Sequence, residues 1–319
     1  MVTTGALRIL FFGTPEFAVP TLDALLASRH QVIGVVTQPD RPRGRGQKTT
    51  AGPVKMRATA AGLPILQPER LNDRSFLDAL AALRGDLGVV AAYGKILTDA
   101  VLAAPRLGMI NVHASLLPRY RGAAPVHRAV MAGEVETGVT IMRIVKALDA
   151  GPMLASVSRP IGPDDTSEEI ERDLAARGAA LLVSTTNALA EGRAGEIPQD
   201  DARATYAPRL TKDDGIIDWS RSAEDIHNQI RGLHPWPHAF AFLRGHRVIL
   251  HRSARSSPLS AADAPGTLSE AAGDRLVVAT GAGRLQLLVI QAEGKRPMGA
   301  REFLAGHPLT LGDRFTAAP

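Results

Sequence analysis

Asn111, His113 and Asp149 are the residues of this chain whose types and spacing suit chemistry. The apolar run Leu107 to Ile110 leads into Asn111 and His113, so on a strand both side chains leave the same face near its C-terminal end. A carboxamide N–H beside an imidazolium can hold an oxyanion. A carboxylate arriving from the later loop Leu148-Asp149-Ala150-Gly151 can orient the imidazole. That trio suits acyl transfer without a covalent enzyme intermediate. Taken singly, a histidine at a strand end is more often a hydrogen-bonded structural residue, and Asp149-Ala150-Gly151 also reads as a turn. No G-x-S-x-G elbow surrounds Ser115, which argues against a serine hydrolase.

The elements that must position these groups begin with strands at Ile9–Phe12, Val32–Thr37, Leu87–Ala92 and Val139–Ile144, with helical periodicity such as Phe76, Leu77, Leu80 and Leu83 between them. Thr14 as N-cap and Pro15 at the first helical position predict a helix running toward His30. Thr166 and Glu169 form a capping box opening a long helix, with Ile170, Leu174, Leu181 and Leu182 on its buried side, that ends near Gly192. The alternation predicts an α/β fold over 1–192, a Rossmann-like doubly wound sheet of mostly parallel strands with its ligand cleft at the carboxyl ends of the strands. Residues 193–209, with Gly195, Pro198 and Pro208 among polar neighbours, read as an exposed linker. The remainder, 210–319, holds a short helix at Ala223–Arg231 and strands at Ala239–Leu243, Arg247–His251, Arg275–Thr280 and Arg284–Ile290. It predicts a smaller β-rich domain, a barrel or curled sheet of which an OB-like fold is one form.

With 319 residues, 45% of them hydrophobic, two domains are expected. The absence of cysteine excludes disulfides, thiolate metal sites and cysteine nucleophiles, and fits a reducing cytoplasm. Met1 to Ala6 carries no basic stretch, Gly13 cuts the first apolar run below signal-peptide length, and no segment approaches the ~18 apolar residues of a membrane span. The net charge of +5 favours a polyanionic partner, but arginine outnumbers lysine 31 to 6, a skew that looks like coding bias. Only basic clusters free of acids are therefore informative. One is Arg41-Pro42-Arg43-Gly44-Arg45-Gly46-Gln47-Lys48, whose prolines and glycines keep it out of regular structure; it can track phosphates or be a solvated surface loop. The other, Arg231 to Arg255, has five arginines, four histidines and no acid, and suits the outside of an RNA helix. Within it His234 and His238 have metal-like spacing, but two prolines preclude a helical pair and no carboxylate is near in sequence, so a packed Trp-Pro corner and no metal are expected. Gly13-Thr14-Pro15-Glu16 with Asp40 lacks the glycines of a dinucleotide fingerprint. Asp164-Asp165 and Asp213-Asp214 read as caps and turns.

The string Asn111-Val112-His113-Ala114-Ser115-Leu116-Leu117-Pro118, followed by Arg119 to Pro125 and Glu136 to Met142, resembles the folate-dependent formyltransferases. The likeness extends to Gly13-Thr14-Pro15 and Gln38-Pro39-Asp40-Arg41-Pro42, and more weakly to Ile217-Asp218-Trp219, Pro235-Trp236-Pro237 and Gly294-Lys295. It implies that Asn111, His113 and Asp149 are catalytic, that 10-formyltetrahydrofolate is the formyl donor, and that no metal is used. It also implies folate contacts along Ser115, Leu116, Leu117 and Pro118 and along Tyr93, Gly94, Lys95, Ile96 and Leu97. In the branch of the family that acts on tRNA a basic insertion stands at the position of Arg41, Arg43, Arg45 and Lys48. The resemblance thus implies a cytoplasmic, membrane-free monomer that formylates the α-amine of methionyl-initiator tRNA for translation initiation. Ala150 stands where the family often has Thr and His127 where Gln is common, departures that leave the trio intact. Two alternatives stay open: a formyltransferase for an amino sugar nucleotide or other small amine, and an RNA-binding protein with a vestigial Rossmann-like domain.

Overall fold

A computed structural model describes residues 5–43, 48–256 and 263–319. The chain forms two compact units: residues 1–125, 137–159 and 171–207 make the first, and residues 126–136, 160–170 and 208–319 the second. Both units take in residues from more than one stretch of sequence.

The first unit is built on strands β1 (Arg8–Gly13), β2 (Gln31–Val36), β3 (Ile65–Leu66), β4 (Leu87–Ala91), β5 (Met109–His113), β6 (Glu136–Arg143) and β7 (Met153–Pro160), in the order β7-β6-β5-β4-β1-β2-β3. Adjacent pairs from β3 through β5 are parallel, and β6 runs antiparallel to β5. This is the mostly parallel sheet that the strand–helix alternation predicts. β4 is buried at every position, as a strand covered on both faces must be. The chain winds outward from β1 to β3 and returns to β4, so the loops after β1 and β4 diverge at a switch point, where such sheets open a crevice. No position of β7 is fully buried and β3 is only two residues long, so Met153–Pro160 and Ile65–Leu66 give no continuous apolar run and escape the sequence pattern.

Two local expectations are corrected. Thr14 is not an N-cap: its hydroxyl donates to the Tyr93 carbonyl at 3.2 Å, and a 3-10 turn, Glu16–Ala18, precedes a helix that covers only Val19–Leu26. The tie from β1's exit to β4's exit outcompetes the cap. The basic segment is not wholly irregular either, because Arg41–Arg43 pairs antiparallel with Lys48–Thr50, joining Arg41 to Thr50 and Arg43 to Lys48. Arg45 lies outside the described residues.

The capping box is present, with the Thr166 N–H donating to Glu169 Oε2 at 2.8 Å and the Glu169 N–H to Thr166 Oγ1 at 3.3 Å. Those bonds to Thr166 hold the Glu169 carboxyl down at about 2. The helix it opens spans Ser167–Ala190, close to the predicted extent. Among the described residues no helix is long and apolar enough to cross a membrane.

The second unit carries β8 (Ala239–Leu243), β9 (His246–Ser256), β10 (Leu268–Ala272), β11 (Arg275–Ala279), β12 (Arg284–Ala292), β13 (Met298–Gly299) and β14 (Phe315–Thr316). They form one curled antiparallel sheet in the order β10-β11-β12-β9-β8-β14, with β13 beside β12. β9 is bulged against β12 around His251. The acid-free strip of the sequence is not acid-free in space. Arg244 pairs with Asp313, Arg252 with Glu169 and Arg255 with Glu224, while the buried Arg231 donates to the carbonyls of Gly162 and Asp165. Much of that strip's charge is therefore balanced within the unit by acids remote in sequence.

Candidate active site

β5 ends in the sequence Asn111-Val112-His113, and its pairing with β4 and β6 fixes which residues face which way. His113 is buried, at 5% exposure, and its Nε2 lies 3.0 Å from the Tyr120 carbonyl. A carbonyl can only accept, so Nε2 carries a proton and Nδ1 is the nitrogen left for chemistry. That atom faces Asp149, whose Oδ2 lies 3.8 Å away. The distance exceeds a hydrogen bond, so the carboxylate acts on the ring through its charge or through water. Among the described residues no hydrogen bond ties down the Asn111 carboxamide, which leaves its N–H free to donate.

Asp149 is held by its backbone and its side chain. It sits in the left-handed region at φ 47, a conformation that costs a non-glycine residue free energy unless its surroundings enforce it. Its Oδ2 accepts the Gly122 N–H at 2.8 Å. Gly122 itself needs φ 119, and a Cβ there would lie 2.7 Å from the Ala207 carbonyl oxygen, so only glycine brings that N–H to the carboxylate.

The stretch read as a passive linker supplies the remaining restraints. Gln199 Nε2 donates to the carbonyls of both Asp149 and Gly151, each at 2.8 Å. Its Oε1 accepts from Nε and Nη2 of the buried Arg121 at 3.1 and 2.8 Å, and because a guanidinium only donates, the amide's orientation is fixed. Thr205 Oγ1 accepts from the Tyr120 N–H at 2.8 Å, steadying the carbonyl that anchors His113. Tyr206–Ala207 pairs in parallel with Arg121–Gly122, and Ile197 bridges to Met153. Residues 193–209 are thus a clasp across the site of the first unit. Sequence reading missed Gln199, since a side-chain bond spanning this much chain leaves no periodic trace. Gln199→Ala should lose about tenfold in turnover, ~1.4 kcal/mol of barrier, with KM for both substrates changed less than threefold. A lowered melting temperature with unaltered turnover would make Gln199 purely structural.

Ser115 to Pro118 forms a braced turn. The buried Thr140 accepts the Leu117 N–H at 3.2 Å and donates to the Ser115 carbonyl at 2.7 Å. Ser115 Oγ donates to the Arg119 carbonyl at 2.7 Å, so this hydroxyl is committed to the turn, and the turn's backbone with Leu116 and Pro118 is what a ligand can meet. Of the second predicted segment, Tyr93 is corrected: its ring belongs to the core, 1% exposed and edge-on to Phe12 at 5.7 Å. Burial pushes its hydroxyl up to about 12. Lys95 Nζ donates to the carbonyls of Pro68 and Glu69, Leu97 packs against the core, and Gly94 and Ile96 are exposed, Ile96 at 86%. Leu148, before Asp149, is also an exposed apolar residue.

A cavity of about 260 Å³ beside the switch point is lined by Thr14, Gln38, Pro39, Asp40, Arg41, Thr50 and Gly52. Asp40 is bound there by Lys55 at 2.5 Å and Gln67 at 3.1 Å, which hold its carboxyl below the usual range. Both of its oxygens thus already accept a bond from within the protein.

Residues 7–186 match the family described as formyl transferase, and residues 209–308 match the formyl transferase C-terminal domain. The chain belongs to the formyl transferase family. It is 48% identical over 307 residues to the methionyl-tRNA formyltransferase of Moorella thermoacetica, covering 96% of this chain and 98% of that protein. It is 50% identical over 312 residues to the methionyl-tRNA formyltransferase of Roseiflexus castenholzii, covering 97% and 99%. The fold is shared with an N-formyltransferase from Helicobacter canadensis, solved with folinic acid and dTDP-3-aminofucose (TM-score 0.67, 17% identity, 88% of this chain and 99% of that one). HypX from Aquifex aeolicus, solved with tetrahydrofolic acid, shares it too (TM-score 0.65, 15% identity, 98% and 51%). A formyl transferase uses a formyl-folate donor.

Proposed function

We propose that this formyl transferase moves the formyl group of 10-formyltetrahydrofolate onto the α-amine of methionyl-initiator tRNA, in the cytoplasm, for translation initiation. The observation that carries the reading is the 48–50% identity, over nearly the whole chain, to proteins named methionyl-tRNA formyltransferase. The site's chemistry agrees with it. The α-amine of an aminoacyl ester is partly neutral near pH 7 and can attack the formyl carbon directly. As charge grows on the formyl oxygen, the Asn111 N–H and a proton on His113 Nδ1 receive it, while Asp149 balances the ring's positive charge and, through water, relays the amine's proton to N10 of the folate, whose bond to the formyl carbon breaks as the intermediate collapses and tetrahydrofolate leaves. On this reading the folate ring system meets exposed Ile96, the backbone at Gly94 and the turn at Leu116 to Pro118.

The working division is a catalytic domain at 1–192, a joining segment at 193–209 and an RNA-contacting domain at 210–319, with the basic segment Arg41, Arg43, Arg45 and Lys48 as a further RNA contact. A direct test supplies the purified chain with the formyl-folate and, in parallel, methionyl-tRNA, uncharged tRNA and an amino sugar nucleotide. Formyl-methionyl-tRNA is the expected product. Formylation of the sugar amine with none on tRNA would replace this reading by the small-amine one, and no turnover with any acceptor would leave an RNA-binding protein.

Charge reversal in the basic segment makes a separate prediction. Arg43→Glu with Arg45→Glu should raise the tRNA KM and make the dependence of log kcat/KM on log salt shallower by about two, one for each phosphate no longer neutralised. Turnover at saturating tRNA should persist. Unchanged tRNA kinetics would confine the segment to a solvated surface role.

A further inference from the structure

His234 and His238 flank the Pro-Trp-Pro turn, and the structure adds a third imidazole to them. Ala239 of β8 pairs with Leu250 of β9, so one step further His238 falls opposite His251. His251 is the extra residue at the bulge between Leu250 and Arg252, and bulges re-aim side chains in this way. The rings of His238 and His251 stand 4.5 Å apart between centroids, and His234 lies 5.4 and 6.3 Å from them. One nitrogen from each ring lies within 4.8 Å of the other two.

The hydrogen bonding around the group is what distinguishes it from a packed stack of rings. His234 Nδ1 and His238 Nδ1 are buried and have no hydrogen-bond partner. A buried ring nitrogen without a partner is costly and calls for an explanation. The far nitrogens are engaged instead: His251 Nε2 lies 2.8 Å from Gln291 Oε1, and His234 Nε2 lies 3.4 Å from Glu168 Oε2. Ligating histidines carry this pattern, with the outer N–H given to an amide or carboxylate and the inner nitrogen left for the ion. His238 is also held at φ 65, where a non-glycine residue is strained.

We infer that His234, His238 and His251 form a site for one borderline divalent transition ion, zinc in the first place, that pins the Pro-Trp-Pro turn to β9. Imidazole nitrogens suit zinc, cobalt or nickel and exclude calcium and magnesium. Zinc–nitrogen bonds of about 2.0–2.1 Å set three tetrahedral ligands roughly 3.4 Å apart, so the rings must close by about an ångström. Three protein ligands leave a fourth position for water.

The test uses the full-length chain with no affinity tag, stripped with chelator and titrated with Zn²⁺ against a chromogenic competitor and with Co²⁺ by visible absorbance. One equivalent should bind, and Trp236 fluorescence should change with it. His238→Ala and His251→Ala should each weaken Zn²⁺ binding by more than about tenfold, and Gln291→Ala, which leaves all three rings in place, by about tenfold. Exposed His246→Ala should bind as the unaltered chain does. Circular dichroism and melting curves establish that each variant is folded; if the ring variants are not, Gln291→Ala decides. Absence of saturable binding, or binding untouched by Gln291→Ala and by the folded ring variants, overturns the site.

Discussion

His113→Ala is expected to lower turnover by more than a hundredfold while leaving the tRNA KM within about twofold. On the proposed mechanism the ring supplies one of two donors to the developing oxyanion, and removal of such a donor costs ~2.7–4 kcal/mol, or about 10²–10³ in kcat. The geometry makes the loss specific to the transition state. Nε2 is spent on Tyr120, so Nδ1 is the ring nitrogen that faces Asp149 and the site. Alanine also leaves a small void at a 5% exposed position and strips the Tyr120 carbonyl of its donor, so a modest fall in melting temperature should accompany the change. Steady-state kinetics with saturating formyl-folate separate the two effects. Turnover within tenfold of the unaltered chain would take the ring out of the mechanism.

What could be read in advance follows from what is local. The period-two spacing of Asn111 and His113 after an apolar run sets their common strand face, and Thr166 with Glu169 sets a helix start, because both signals span only a few residues. The parallel strands are legible for the same reason: buried on both faces, they read as continuous apolar runs. The misreadings share a cause as well. Tyr93 looks like a pocket residue beside a glycine, yet its ring packs on Phe12 because the strand before it ends inside the core. Thr14 looks like a cap, yet a carbonyl from β4's exit claims its hydroxyl. Arg244, Arg252 and Arg255 look like free cations, yet Asp313, Glu169 and Glu224 meet them across the fold. Gln199 and His251 meet residues far away in sequence through side-chain contacts alone, and composition or periodicity carries no record of those.

Asp149→Asn isolates charge from shape, and it should cost about 10²–10⁴ in kcat, the range for a positioned proton-transfer group. The side chains are nearly the same size, and the Gly122 N–H still needs an acceptor, so the new carbonyl oxygen turns to it and the left-handed turn at φ 47 stays closed by Gln199. That acceptor position, Oδ2, is also the one 3.8 Å from His113 Nδ1, so the amide oxygen stays toward the ring and the amide nitrogen takes the place of Oδ1. What is lost is the carboxylate that faces the ring and accepts the amine's proton, while Nε2 still donates to Tyr120. The substitution therefore removes the negative charge beside the ring and leaves the hydrogen bonds around it in place. Stability should change little and tRNA binding less, since no phosphate-binding group is touched. If Asp149→Asn instead kept kcat within fivefold while melting several degrees lower, Asp149 would belong to the turn alone, and the proton relay would have to pass through a different group.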